Sequence, residues 1–239
     1  MCGRAYSTYT DEELELRYLN EKRKHRPLAG LKPNYNLAPT QVAPVVLMHN
    51  HQTRIELMRF GLIPFWAKDI KSANKYSLIN AKGEEIDQKR SYKDAFQHRR
   101  CIIPLSGFYE WQRINDTKHP FAIHLRSEPI MSIAGVWEHW RSQQPDQEVK
   151  SFSIITTSAN SMMQMIHDRM PVLLDRKDES SWLDPENHNV EGLKSLLKPC
   201  PSEWLEAYEI STLVNSPRNN VKEVLEPLKQ PGAKSEKDQ

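Results

Sequence analysis

Hydrophobic positions change period several times along this chain, and the changes mark out its elements. Thr10 followed by Glu13 is a capping-box pattern, and Leu14, Leu16, Tyr18 and Leu19 recur after it at helical spacing. This predicts a helix of about 12–15 residues that ends before Pro27. Residues 31–44 (LKPNYNLAPTQVAP) hold three prolines and predict a shaped, extended loop. The pattern then turns strand-like. Residues 45–48 and 54–60 predict a hairpin across 49–53, and 101–105, 121–125, 130–136, 151–157 and 208–214 predict further strands. Short helices are predicted at 92–98, 161–166, 191–197 and 202–204, with hydrophilic loops at 113–119 and 141–150. Strands divided by single short helices, with no regular βαβ alternation, predict an α+β fold. No break in composition divides the chain, so we expect one domain over residues 2–225 and a disordered polar tail over 226–239.

Four polar residues in apolar settings are candidates for chemistry. Cys2 sits in the opening run MCGR. Loss of Met1 would leave Cys2 with a thiol and an α-amine on adjacent carbons. These titrate at about 8.5 and about 7.7–8.0 when unperturbed. Such a pair condenses with an aldehyde to an imine and then closes a thiazolidine ring. Taken alone, a cysteine in this place is equally an accident of the start codon. Asn80 follows Leu78-Ile79, which favour burial, and offers a donor and an acceptor; it also suits a turn after a strand. Glu110 lies in GFYEW, where apolar neighbours would raise its pKa toward that of a general acid, unless the strand turns it to solvent. His167 follows a Met-rich stretch and precedes Pro171; an isolated histidine is also often structural. Trp66, in GLIPFWA, could stack on a base or pack on its own domain.

Composition narrows the setting. Basic and acidic residues number 33 and 31, a net charge of +2, so any affinity for nucleic acid must come from local patches. Candidates are residues 22–26, 89–93 and 98–100, each of which also suits a solvated face. No apolar run approaches the ~20 residues of a membrane span, and no leader pattern is visible. Cys2, Cys101 and Cys200 form no CxxC or Cys/His metal spacing. We therefore expect free thiols, a cytoplasmic setting, no metal and no other cofactor. His49 and His51 lack a third ligand in sequence. GxSxG, Walker A, GxGxxG and HExxH are absent.

The motifs MCGR (1–4), YNLAP (35–39), RFGLIPFW (59–66), LINAKGE (78–84), RRCIIPLSGFYEW (99–111), IIT (154–156), IHDRMPVLL (166–174) and NSPRNN (215–220) occur in one order. As an ordered set the chain resembles the SOS-response-associated peptidase (SRAP) family from Cys2 to about Asn220. The resemblance implies a single α+β domain with a barrel-like mixed β core, flanking short helices and a positively charged groove for single-stranded DNA. It implies sensing of abasic sites and a covalent link to them. Cys2 matches the crosslinking nucleophile, Asn80 the asparagine of the reaction centre, Glu110 the catalytic carboxylate and His167 the catalytic histidine. Arg4, Pro39, Trp66, Lys82 and Arg169 match positions associated with the DNA groove. Lys82 replaces the family's usual arginine, keeping the charge but losing the bidentate grip on phosphate. The short stretch after Asn220 fits a bacterial-type stand-alone domain, expected as a monomer and nucleoid-associated when DNA-bound.

On this reading Glu110 opens the abasic sugar, the Cys2 amine forms an imine at C1′, and the thiol closes a thiazolidine that shields the lesion. Abasic lyase activity and slow reversal are expected alongside it. Two other readings stay open: a cysteine-type peptidase, acting on Met1 or on other proteins, and a single-strand binding module without chemistry.

Overall fold

The computed structural model describes residues 2–19, 28, 31–76, 78–142 and 147–228. Its strands are β1 (Arg4–Ser7), β2 (Asn34–Leu37), β3 (Val42–His49), β4 (Gln52–Phe60), β5 (Asn80–Lys82), β6 (Arg100–Leu105), β7 (Gly107–Ile114), β8 (Thr117–Leu125), β9 (Met131–Arg141), β10 (Glu148–Ser158), β11 (Arg169–Pro171) and β12 (Leu205–Glu209). Its helices are α1 (Asp11–Leu19), α2 (Ile70–Asn74), α3 (Lys93–His98), α4 (Arg176–Leu183) and α5 (Val190–Ser195). This is the α+β class that the pattern predicts.

Five strands close into a barrel in the order β9-β6-β3-β4-β10, because β10 pairs back onto β9 from Glu148↔Arg141 to Ile154↔Gly135. Closure leaves these strands no free edge. Gly135 sits where β9 meets both β6, at Cys101, and β10, at Ile154. A Cβ there would lie 2.1 Å from Ile103 Cδ1 and 2.9 Å from Ser153 O, so only glycine fits. Inside, Phe60 stacks on Phe152 at 5.1 Å, with Val45, Ile103 and Ile133 in the same cluster. Each such buried side chain contributes about 1.5–3 kcal/mol relative to exposure. The upper part of β10 is flanked by β5, in parallel, and by β11, antiparallel. A second, antiparallel sheet runs β12-β8-β7-β1-β2.

Several elements differ from their sequence expectations, each for a local reason. The 31–44 stretch is not one loop: β2 forms within it and β3 begins at Val42. The loop expected at 113–119 is a hairpin in which β7 and β8 run on to Ile114 and Thr117. Asn115 and Asp116 alone make the turn, with φ of 46° and 61°, as the right-handed twist of a tight hairpin requires. Polar side chains there reflect solvent on the hairpin, not irregular backbone. The loop expected at 141–150 likewise shrinks, since β10 begins at Glu148. The strand expected over 208–214 lies at Leu205–Glu209, after which Ser211 Oγ accepts from Leu213 N and caps a 3₁₀ turn. The helix expected at 161–166 is one 3₁₀ turn, Met163–Met165. At α1 the capping box forms as predicted, with Thr10 N donating to Glu13 Oε2 at 2.7 Å. The end of that helix near Pro27, the basic run 22–26 and the tail from 229 onward lie outside the described residues. None of the described helices is long and apolar enough to cross a membrane.

Two buried polar side chains hold the architecture together. Arg100, 4% exposed, donates to the carbonyls of Phe96, Gln97, Trp182, Asp184 and Asn187, and so ties α3 and α4 to the barrel. Asn36, fully buried on β2, reaches the carbonyls of Val214, Ser216 and Asn219 through Nδ2. Its Oδ1 accepts from Arg4, whose guanidinium also holds Val214 O at 2.7 Å and Asn215 O at 2.8 Å. The 214–219 segment is thereby latched onto β1 and β2.

Arg100→Leu strips five carbonyls of their donor and is expected to cost roughly 3–5 kcal/mol in chemical unfolding. Asn36→Ala is expected to cost about 1–3 kcal/mol. It should also speed amide exchange over 213–219 while leaving the barrel strands protected; unchanged exchange there would show that the latch is not Asn36.

Candidate active site around Cys2

β1 is an interior strand, with β7 on one side and β2 on the other. Its register on β7 sets Arg4 opposite Tyr109 and runs antiparallel, which carries the residues before β1 toward Glu110. Cys2 is fully buried there, its Sγ 3.9 Å from Arg4 O. Burial pushes its thiol pKa far up, and the nearby Glu110 carboxylate pushes it in the same direction. The thiol is therefore neutral at physiological pH and sits within electrostatic reach of Glu110. Glu110 is 3% exposed and lines a cavity of about 340 Å³ with Trp111, Arg113, Lys118, Ile166 and His167. Two of the four chemical candidates thus share one cavity, and a third adjoins its carboxylate.

His167 stands between the 3₁₀ turn and β11. Its Nδ1 accepts from Arg169 N at 3.0 Å, which places the proton of the neutral ring on Nε2. Asp168 Oδ1 is 2.8 Å from the same Nδ1. A nitrogen that accepts from Arg169 cannot also donate to Asp168, so the second contact becomes a hydrogen bond only in the imidazolium. Gln112 Nε2 donates to Met165 O at 2.6 Å and fastens this turn to β7.

Asn80 starts β5, where it pairs with Ile154 and its carbonyl accepts from Tyr92 Oη at 2.9 Å. Its side-chain Oδ1 and Nδ2 are both buried with no hydrogen-bond partner among the described residues. Such a group is costly unless a ligand or water completes it. The preceding Ile79 packs on the cluster that contains Cys2, Phe108, Met163 and Met170, and Ile166 packs there too. The apolar flanks of all four candidates therefore meet in one core.

The five expected groove residues occupy different settings. Lys82 is exposed at the end of β5. Trp66 stacks edge-on against Tyr76 at 5.3 Å, with the Arg90 guanidinium 5.4 Å from its ring and the exposed Phe65 beside it in sequence. Pro39 lines a separate cavity of about 230 Å³ with Arg59, Gly61 and Ile79. Arg4 is spent on the 214–219 latch. Arg169 forms a bidentate pair with Glu84, at 2.7 and 2.9 Å, and also donates to Thr156 O at 2.7 Å.

The described basic runs are partly engaged, with Arg90 and Lys93 left without an ion pair among the described residues. Lys89 pairs with Glu85, Arg99 with Asp94 and Glu138, and Arg100 is buried. The described residues contain no group of three His, Cys, Asp or Glu side chains able to hold a metal. Sequence reasoning missed Asn36, Arg113 and Lys118. The first was hidden in a segment read as loop; the other two would have been visible as cross-strand partners had Asn115-Asp116 been read as a two-residue turn.

Comparison with known proteins places this geometry. The SOS response associated peptidase (SRAP) family model matches residues 1–217. Abasic site processing protein YoqW of Bacillus subtilis is 39% identical over 232 residues, covering 95% of this chain and 99% of its own. Abasic site processing protein HMCES of Xenopus tropicalis is 30% identical over 223 residues, covering 81% of this chain and 66% of its own. The X-ray structure of a Bacteroides thetaiotaomicron protein superposes with a TM-score of 0.84 at 27% identity, over 95% of this chain and 99% of that one. A match across nearly the whole chain, joined to the same fold, means that the chain belongs to the SOS response associated peptidase family.

Proposed function

We propose that this protein processes abasic sites in single-stranded DNA by linking Cys2 covalently to the open sugar. The observation that carries the reading is the fully buried Cys2, carried by β1 toward Glu110, which lines the cavity it shares with His167. The names of the relatives support the substrate.

The abasic sugar is mainly a ring-closed hemiacetal. Glu110 takes the proton of the C1′ hydroxyl and, as the acid, passes it to the ring oxygen while the C1′–O4′ bond breaks, giving the aldehyde and restoring the carboxylate. After Met1 is removed, the Cys2 amine adds to C1′ and water leaves, giving an imine. The thiol then adds to C1′; its proton moves to the imine nitrogen, and the thiazolidine closes without any redox change. The thiol proton has the imine nitrogen to go to, so a thiolate need form only as the sulfur adds. His167 donates through Nε2 to oxygens of the sugar–phosphate, and the unpartnered amide of Asn80 is available to hold the sugar or the new N-terminus. An imine that escapes closure acidifies C2′ and leads to β-elimination, a side activity of the same centre. Single strands are favoured because the reacting sugar has no stack to leave.

The raised thiol pKa weighs against a general cysteine peptidase, which works through a thiolate stabilised near neutrality. Removal of Met1 from the chain itself remains compatible with the crosslinking role.

On a denaturing gel with abasic single-stranded DNA, the native chain is expected to give a heat-stable band and Cys2→Ser none. A persistent band with the serine variant would sink the thiazolidine. Glu110→Gln is expected to slow crosslinking by about 10²–10⁴-fold, the usual range for a lost general acid. The same substitution removes a negative charge that raises the thiol pKa. Alkylation of Cys2 as a function of pH should therefore shift to lower pH in Glu110→Gln, and an upward shift would contradict the placement of that charge.

A further inference from the structure

Arg113 on β7 stands directly opposite Lys118 on β8. Like charges in direct cross-strand register repel each other, and sheets ordinarily set an opposite or neutral partner there. Both side chains are exposed, and neither has an ion pair or hydrogen bond among the described residues. Their neighbour His119 does find a carboxylate, Glu209 Oε1 at 2.8 Å. The two-residue turn at Asn115-Asp116, with φ of 46° and 61°, holds the two cations in register. Both line the cavity of about 340 Å³ that takes in Glu110 and His167. Trp111, between them and Glu110 along β7, is fixed by its Nε1 bond of 2.8 Å to Asn215 Oδ1.

We propose that Arg113 and Lys118 form a clamp for one phosphodiester next to the reacting sugar. The proposal rests on the abasic-site reading of the cavity. An anion between the two cations turns their mutual repulsion into attraction for a common partner. The planar guanidinium suits two phosphate oxygens at once, and the ammonium adds a point charge. Glu110 is buried while the two cations are exposed, so a strand lying across the cavity meets positive charge at the mouth and the carboxyl further in. The clamp would fix which sugar of the strand faces Cys2.

The test is an equilibrium binding titration with single-stranded DNA carrying a stable abasic analogue, at several salt concentrations. It compares the native chain with Arg113→Ala/Lys118→Ala. The double variant is expected to bind roughly tenfold more weakly at low salt, and its slope of log affinity against log salt should fall by about 0.7, the value for one phosphate contact on a single strand. Replacing each phosphate beside the lesion in turn by an uncharged methylphosphonate should weaken native binding at one position, and that position should make no difference to the double variant. The variant's melting temperature should equal or exceed the native one, because a repulsive pair has gone. An unchanged salt slope, or a methylphosphonate effect that persists in the variant, overturns the clamp while leaving abasic-site processing intact. A native chain that binds neither abasic nor intact strands overturns both.

Discussion

The site depends on an N-terminal strand that is built into the middle of a sheet. β1 has four residues and both of its edges are occupied, by β7 and by β2. A strand so short would be marginal at an edge; between two neighbours its backbone groups are paired on both sides. Cys2 is carried into the core as a consequence, and its position relative to Glu110 is set by ladder register, not by a flexible tail. The segment next to an N-terminus is ordinarily among the most mobile parts of a chain. Here the sheet restrains it before any ligand arrives.

The restraint is reinforced by hydrogen bonds that could not be replaced by apolar packing. Arg4 and Asn36 together bind the 214–219 segment, so the two ends of the described chain meet beside the site. Arg169 plays a comparable part on the other flank. Its side chain ties Glu84, just after β5, to Thr156 on β10, and its backbone N–H holds His167. Asn80 departs from this pattern, since its buried amide has no partner among the described residues. An unmet polar group of this kind costs about 1–3 kcal/mol. Such local costs are characteristic of places where a ligand completes the arrangement.

Electrostatics divides the labour between depth and rim. The thiol pKa is raised by burial and, in the same direction, by the Glu110 carboxylate. Many basic residues of the described chain are paired with acids or absorbed into structure, as Arg99, Arg100 and Lys194 are. The exposed cations with no acidic partner among the described residues, Arg113 and Lys118 among them, mark where an anion can lie.

Some of this was legible without coordinates. The capping box at Thr10, the 45–60 hairpin, the apolar run at 101–105 and the absence of βαβ alternation depend on neighbouring residues, and local periodicity reports them well. The four chemical candidates could be named because each interrupts an apolar run or, for Cys2, opens the chain. β1, β2 and α4 were not legible: Arg-Ala-Tyr-Ser and Asn-Tyr-Asn-Leu have little strand signal, and α4 buries only Trp182 and Leu183 in an otherwise polar segment. Their state is decided by partners 30 to more than 100 positions away, as the pairing of Ala5 with Leu37 and with Phe108 illustrates. The sequence by itself determined the fold class, through short-range pattern, and supplied the candidates for chemistry, each beside a structural alternative. Tertiary structure alone decided that the thiol lies against Glu110, that Arg4 and Arg169 are bound to protein groups, and that Arg113 faces Lys118. Long-range pairing sets distances, and a charge acts through distance.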